Sequence, residues 1–457
     1  MTNRPGDGDD TPSDDESSGP TPFGPGSAFE QIFRQLGLPV PKPGEEYDLA
    51  AMLQHVQGLF AAMPTPAMTS PTGGVNWTFA KDVARKVVAS LGPDPTPSSR
   101  QRRETTDAVH LAELWLNDAT VFSAVTSPPA VWSRAEWVEA TMPAWQTMVE
   151  PIVSTVAREM GSAVTSHMAD DPEVSGMNSM LEPMLRQSAS GLFGAQLGQA
   201  LGRLGTEVVS GTDVGLPLTA KPQVALVLTN VLAYGEGLDL PERDVVLYHA
   251  LREAARQRLF AAVGWVGPQL VALVLHYARE ITVDPEAFEG SIGRLVGSSP
   301  DDIAQLSEEL GRTLFSPAKT SLQSEILGRL ETLLALVEGW VDDVVAQATA
   351  TYMPAATALA ETVRRRRATG GPAEQTLAQL VGLELRPRRL RDATNLWAAY
   401  RSRHGIEARD AVWRHPDVIP SAADLDDPLG FVEGRDQFSD DLDAELAKLL
   451  DDERGEG

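Results

Sequence analysis

Helical periodicity is the feature that most constrains how this chain can fold. Through most of the chain after residue 75, apolar residues recur at intervals of three and four, the spacing of one face of an α-helix. The periodicity changes at residues 211–230, where Val214–Leu218 and Gln223–Leu228 are short, β-compatible and flanked by Gly, Pro and Asn. The pattern therefore predicts a mainly α fold with a very small β element. The main helices predicted for the body are Trp77–Leu91, Thr105–Asn117, Arg134–Arg158, Pro241–Ala262, Lys319–Ala348 and Leu390–His404.

The two ends differ from the body in composition. Residues 1–27 consist largely of Asp, Ser, Gly and Pro, which predicts a disordered acidic segment, and short helices with linkers follow over residues 28–74. Residues 75–431 are predicted to form one helical domain, in which Ser133 and Glu136 have the spacing of a capping box. We expect Asp424–Phe431 to be a loop. Residues 432–457 predict an acidic tail with a short amphipathic helix.

Composition narrows the classes of function. The formal net charge is −26, and such a balance repels nucleic acid and anionic lipid. No apolar run approaches the ~18 residues of a membrane span, and the N-terminus has no apolar region typical of a signal peptide. The chain has no cysteine, which excludes disulfides, thiolate metal sites and cysteine nucleophiles. We therefore expect a soluble cytoplasmic protein that binds neither nucleic acid nor membrane.

One predicted helix, which begins near Pro241, carries an unusual set of polar side chains. Pro241 in the first turn, followed by Glu242 and Asp244, is typical of a helix N-terminus. At about 100° per residue, one face is apolar. The residues of that face are Leu247, Ala250, Leu251 and Ala254. The opposite face gathers His249, Arg252, Glu253 and Arg256. Four long polar side chains on one face of an alanine-rich helix indicate that this face has a specific role.

The spacing of these residues is that of a metallopeptidase motif. In H-E-x-x-H, histidines at i and i+4 reach one zinc ion, and the glutamate takes a proton from the metal-bound water. Here the five residues are Arg252-Glu253-Ala254-Ala255-Arg256. Taken alone, R-E-x-x-R would occur by chance on many exposed helices, so the flanking sequence has to decide.

Several blocks along the chain, in one order, carry a resemblance to a known family. They are Gly74–Trp77, Leu114–Thr120, Trp132–Thr141 with Pro143–Trp145, Gly215–Leu218, Glu338–Val341, Arg365–Glu374, Leu385–Arg391, Asp410–Asp417 and Ala423–Pro428. The sequence resembles zincin-like metallopeptidases and candidate hydrolases of high-GC Gram-positive bacteria, some of them labelled as associated with deazaflavin-cofactor biosynthesis. The resemblance extends from about Gly74 to Phe431.

This resemblance implies a helical zincin with a short strand before the metal helix and a zinc site at Arg252, Glu253 and Arg256. Only Glu253, at the general-base position, is retained. Glu338 is our candidate for the third-ligand position, the alternative being an ordinary surface glutamate. A guanidinium stays protonated and has no free lone pair, so it cannot bind zinc. We expect salt bridges from both arginines to Glu253 and Glu338 in place of the metal, and loss of peptidase activity.

Three functions remain open. The leading one is a pseudopeptidase, with no cofactor, that keeps its cleft to bind a peptide or a partner protein. The second is an active enzyme, either a metal-dependent hydrolase that uses Glu253 as general base with relocated ligands or one with unrelated chemistry in the same cleft. The pairs His249–Glu253 and His276–Glu280 could form a relocated metal site, although pairs this simple are usually surface ion pairs or helix-end contacts. The third is an acidic interaction protein whose charged ends recruit a basic partner. The one basic concentration, Arg364–Arg367 with Arg386, Arg388, Arg389 and Arg391, is expected to pair within the molecule, with the acidic body or tail.

Overall fold

A computed structural model describes residues 74–168, 190–191, 193–280, 320–368 and 389–434. All of them belong to one compact unit, which comprises residues 67–289 and 307–457. The predictions for residues 1–27 and 28–73, and for the tail beyond residue 434, lie outside the described residues.

Helices form most of the described chain. They are α1 (Trp77–Leu91), α2 (Ser99–Leu116), α3 (Arg134–Met168), α4 (Leu228–Tyr234), α5 (Glu242–Ala262), α6 (Val266–Arg279), α7 (Ser321–Thr349), α8 (Ala356–Ala368), α9 (Leu390–Ala411) and α10 (Ala422–Asp426). Residues 193–205 are also helical. Two strands, β1 (Ala130–Trp132) and β2 (Ala225–Val227), pair in parallel with Ala130 opposite Ala225. The predicted mainly α fold with a very small β element is confirmed.

The β element differs in part from its prediction. β2 lies inside the predicted Gln223–Leu228, but Val214–Leu218 forms turns. The reason is local: the N–H of Gly215 bonds to the carbonyl of Thr212, and Gly215 has a φ of 79°, which a strand residue does not adopt. The partner strand, β1, is only three residues long and was not predicted, because its extended form depends on pairing with β2.

Helix boundaries follow local capping. The predicted capping box is present at the start of α3, where the N–H of Ser133 bonds to Glu136 Oε2 at 2.7 Å and the N–H of Glu136 bonds to Ser133 Oγ at 3.2 Å. The loop predicted at Asp424–Phe431 is wrong. Another capping box, between Ser421 and Asp424, starts α10 there, and residues 428–434 are helical as well.

Two helices form the centre of the unit. Every residue of α5 from Val245 to Leu259 is buried, and so is every residue of α7 from Leu333 to Val345. α5 packs against α2, α4 and α7. The polar face predicted for α5 is therefore enclosed by protein, and its charged side chains must find partners there, since unpaired buried charges are strongly unfavourable.

Length and hydropathy decide whether any of the described helices could span a membrane. Among them no single helix is both long and apolar enough to cross a bilayer, and one pair, α5 with α6, meets the length and composition criteria only when taken together across a 90° bend.

Candidate functional site

The arginines of α5 face two carboxylates of α7. Arg256 binds Glu338 through two parallel contacts, Nε to Oε1 at 2.7 Å and Nη2 to Oε2 at 3.1 Å. Arg252 donates to Glu338 Oε2 at 2.9 Å and also to Asp342. No more than 6% of any of these four side chains is exposed. Glu338 is thus a buried carboxylate held between both arginines rather than a surface glutamate.

Glu253 turns towards the segment that precedes β2. Its Oε2 accepts hydrogen bonds from Ser210 Oγ and Thr212 Oγ1, both at 2.6 Å, and lies 3.2 Å from Arg256 Nη1. Its Oε1 accepts from Gln257 Nε2 at 3.0 Å. Four donors therefore surround this fully buried carboxyl group. Of the ion pairs expected from the sequence, those of Arg256 with Glu253 and Glu338 and of Arg252 with Glu338 are present.

The hydroxyl donors are positioned by β2. Ser210 forms an antiparallel bridge with Leu226, and the N–H of Gly211 bonds to the carbonyl of Ala225. A Cβ on Gly211 would lie 3.4 Å from Glu253 Oε1, so the backbone approaches the carboxyl closely here. The short strand implied by the resemblance therefore serves to bring two hydroxyl groups to the general-base position.

The two glutamates of the site differ in their electrostatics. Burial raises the pKa of Glu253, and this effect exceeds the lowering by Arg256 and by its hydrogen bonds. Burial also acts to raise the pKa of Glu338, but Arg256, Arg367 and Arg252 outweigh it and hold that pKa well below its usual range. Glu338 is therefore firmly ionised, whereas the negative charge on Glu253 is less well stabilised.

Helix α8 closes the cluster on its outer side. Arg367 Nη1 lies 2.5 Å from Glu338 Oε2, and Arg364 Nε lies 3.7 Å from Asp342 Oδ2. Arg366 donates to the carbonyl of Glu207, and Arg365 pairs with Glu361 at 3.1 Å. Of the two partners predicted for this basic run, the body and the tail, the described arginines Arg364–Arg367 take the body.

The structure separates the four residues of the relocated metal site. His249 is 2% exposed and packs edge-on against Tyr234, whereas His276 lies on the exposed side of α6. Burial lowers the pKa of His249 to about 3. Within the described part of the chain, no three His, Asp or Glu side chains come together as a metal site. The alternative with relocated ligands gains no support from this arrangement.

The cluster itself does not fit a zinc ion. Zinc requires lone-pair donors, and both positions that the resemblance assigns to histidine hold guanidinium groups. The remaining oxygens are engaged: Glu338 by three arginines and Glu253 by four donors. We therefore derive no chemical step through a metal.

An open groove lies next to the cluster, between α6 and the turns that precede β2. Its cavity volume is about 490 Å³. The lining is mostly apolar and includes Pro217, Thr219, Gln257, Phe260, Val271 and Leu275. Gln257 connects the groove to the cluster, because its Nε2 donates to Glu253 while its Oε1 accepts from the N–H of Gln223 at 3.1 Å.

The sequence predicts that Arg252, Glu253 and Arg256 share one helix face and that Glu338 lies at the third-ligand position. The structure places these four residues in one connected set of ion pairs. The prediction did not include Asp342, Ser210, Thr212 and Gln257. Asp342 had a readable signal, because it lies four residues after Glu338 and so repeats the spacing of the two arginines. The hydroxyl donors had none, since they precede Glu253 by about forty residues in a segment without periodicity.

Fold and site together define a class: a helical protein with a small sheet, whose central helix carries Arg252, Glu253 and Arg256 in a buried cluster with two carboxylates of a neighbouring helix. The sequence matches the family model described as zincin-like metallopeptidase over residues 75–432, and the chain belongs to this family. It is similar in fold to a candidate hydrolase with a novel fold from Chloroflexus aurantiacus. That crystal structure aligns with a TM-score of 0.53 at 19% identity, over 79% of this chain and 99% of the other. No curated protein gives a significant match.

Proposed function

We propose that this chain is a pseudopeptidase, a zincin-like protein that works without zinc and binds a peptide or a partner protein. One observation supports the proposal above the others: Glu338 is held between Arg252 and Arg256 inside the protein. The two guanidinium groups supply the positive charge that a zinc ion would otherwise provide to this carboxylate. The ion pairs thereby satisfy the buried glutamate and keep the helices together.

Electrostatics oppose metal entry into this cluster. Two unit charges about 4 Å apart interact by about 4 kcal/mol at an effective dielectric constant of about 20. A divalent cation beside two guanidinium groups would meet repulsion of at least this order from each of them. Hydrolysis by the zincin route also needs a metal-bound water, which this donor set cannot hold.

The groove beside Gln257 supports the binding half of the proposal. Its apolar walls suit side chains of an extended peptide, and Thr219 and Gln257 place polar groups among them. A peptide lying in this groove would contact Gln257, which is hydrogen-bonded to Glu253, the position at which an active relative would act on a peptide bond.

Two measurements test the proposal. Protein purified without chelator should contain less than about one-tenth of an equivalent of zinc by elemental analysis, and a chelator should leave its melting temperature unchanged. Zinc at one equivalent that survives dialysis would overturn the proposal that the protein works without zinc.

A displayed peptide library tests the proposal that the groove binds a peptide. Ala272→Glu, which introduces a charge at an exposed position of the groove, should abolish selection of the peptides that wild type enriches. Equal enrichment by both proteins would refute groove binding.

A further inference from the structure

Two buried polar atoms on touching rings have no hydrogen-bond partner within the described part of the chain. They are Tyr234 Oη, on α4, and His249 Nε2, on α5. The rings meet edge to face, with centroids 4.6 Å apart and an interplanar angle of 78°. A buried polar group without a partner is unfavourable because it has lost its hydrogen bonds to water, and native proteins contain few such groups. Two on adjacent rings indicate a place where an external ligand completes the hydrogen bonding.

Both groups are neutral and able to donate. Burial lowers the pKa of His249 to about 3, so its imidazole is uncharged near neutral pH. Burial also raises the pKa of Tyr234, so its hydroxyl keeps its proton. The Tyr234 O–H is a donor, and Nε2 of His249 is a donor in one of the two neutral tautomers. The pair can therefore supply two hydrogen bonds to one acceptor group.

The surrounding charges favour an anion. Arg252 and Arg366 act on both rings, and the Arg366 guanidinium carbon lies 5.3 Å from the centroid of the Tyr234 ring. Asp213 opposes them, since its carboxylate acts on both rings and has the largest effect of any charged residue on His249, but three arginines act against it at each ring. Asp213 Oδ2 also accepts the N–H of Val209 at 3.0 Å. Positive charge concentrated beside two neutral donors raises the local concentration of negatively charged ligands.

We propose that Tyr234 and His249 form a binding site for a carboxylate, with one hydrogen bond from each ring to its two oxygens and with Arg366 close by. A carboxylate fits because it carries a single negative charge and has two acceptor oxygens. Of the two residues Tyr234 is the more exposed, although both donor atoms are buried. The carboxylate belongs either to a small organic acid or to the C-terminus of a peptide. The site rests on different residues from the groove at Gln257, so it stands independently of the proposed function.

Calorimetric titration with three probes tests this site: acetate, trialanine with a free C-terminus, and trialanine amide. We expect binding of trialanine that is at least tenfold tighter than binding of its amide. Acetate binding as tightly as trialanine assigns the site to small acids, whereas tighter trialanine assigns it to peptide C-termini. Failure of both carboxylates to bind, or equal binding of trialanine and its amide, would overturn the proposal.

Single-atom variants locate the binding. Tyr234→Phe removes only the hydroxyl and keeps the ring contact, and we expect at least a tenfold loss of affinity for the tighter carboxylate. Tyr352→Phe, at an exposed tyrosine elsewhere, is the matched control and should bind as wild type. A spectrum of 15N-labelled histidines, of which the chain has seven, should show one ring signal that shifts with the probe in wild type. Unchanged affinity in Tyr234→Phe, or no shifted histidine signal, would place the carboxylate elsewhere and refute the assignment.

Discussion

Two pairs of charged residues with the same four-residue spacing build the buried cluster. Arg252 and Arg256 lie one turn apart on α5, and Glu338 and Asp342 lie one turn apart on α7. Side chains at i and i+4 project from one helix face, so two such faces can meet as a matched set. The desolvation of buried ions offsets much of their attraction, yet removal of one partner is strongly destabilising, by about 3–5 kcal/mol. We infer that the cluster fixes how α5 and α7 meet more than it adds net stability.

The proposed replacement of two histidines by Arg252 and Arg256 is testable by reversal. In Arg252→His, Arg256→His, two imidazoles would stand at i and i+4 beside Glu253, with Glu338 on the facing helix. We expect zinc binding of micromolar affinity or tighter in this variant, measured by calorimetry, and none in wild type. Arg252→Gln, Arg256→Gln removes the same charges without adding imidazoles and should not bind zinc.

A folded double-histidine variant that binds no more zinc than the glutamine control would show that the surrounding residues no longer permit a metal site. Circular dichroism of both variants establishes that they fold. Because Glu338 also contacts Arg367, that carboxylate keeps one positive partner in either variant.

The part of the site that lies along one helix could be predicted from the sequence. Arg252, Glu253 and Arg256 follow from spacing along one helix, and Glu338 came from the family resemblance. Ser210 and Thr212 could not be predicted, because their position depends on the bridge between Ser210 and Leu226, a contact made only in the folded chain. Burial was also not predictable: a stripe of charged residues opposite an apolar face is usually exposed.

At the scale of elements, close backbone packing sets where the central helix α7 can lie. At Gly339 of α7, an added Cβ would lie 2.7 Å from Ala393 Cβ and 2.8 Å from the neighbouring backbone of α9. Trp397 of α9 also donates its indole N–H to the carbonyl of Leu336 at 2.9 Å. The glycine, one residue after Glu338, thus permits the contact between α7 and α9.

We expect Gly339→Ala to destabilise the protein, because real Cβ atoms do not approach backbone atoms this closely and one helix would have to shift. Overpacking of this kind typically costs about 1–3 kcal/mol. Gly328→Ala is the matched control: it lies on the same helix, has open space around its Cβ position, and should stabilise by about 0.5–1 kcal/mol. Chemical denaturation measures both. A Gly339→Ala variant as stable as Gly328→Ala would mean that α9 does not pack closely against this turn.

Elements were predictable where local sequence decides them. α1 has the predicted bounds, and α9 was predicted to end at His404, directly before Gly405, whose φ of 88° breaks the helix. β1 and the start of α10 were missed. A strand of three residues carries too little pattern, and the short α10 depends on the cap between Ser421 and Asp424.

At the scale of the whole molecule, buried and partly buried ion pairs connect α7 and α5 to several other helices. Asp343 of α7 binds Arg409 at 2.8 Å and Arg401 at 3.0 Å, both on α9. Arg258 of α5 binds Glu113 of α2 at 2.6 Å. Together with the Arg252–Glu338 pair, these contacts join α2, α5, α7 and α9 through charges that water cannot readily screen. Of the carboxylates in these pairs, Glu338 has a pKa held low by its arginines, so stability should depend on pH through Glu338.

Glu338 is the carboxylate whose ionisation should make the folding stability depend on pH. Its pKa in the folded protein lies well below the value of about 4.3 typical of an unfolded chain. A lowered folded pKa contributes stability that is complete above the unfolded pKa and is lost as the pH falls towards the folded one. The raised pKa of Glu253 acts in the opposite direction, so wild type alone cannot separate the two groups.

The comparison with Glu338→Gln isolates this contribution. At neutral pH we expect the variant to be less stable than wild type by about 3–5 kcal/mol, because two buried arginines lose a charged partner. The difference should shrink as the pH falls below about 4.3, where the wild-type advantage begins to decline. Glu361→Gln removes the exposed pair with Arg365 and should change stability little at any pH. Thermal unfolding from pH 7 to pH 3 measures all three proteins. A stability difference between wild type and Glu338→Gln that stays constant over this range would show that the ionisation of Glu338 does not hold the cluster together.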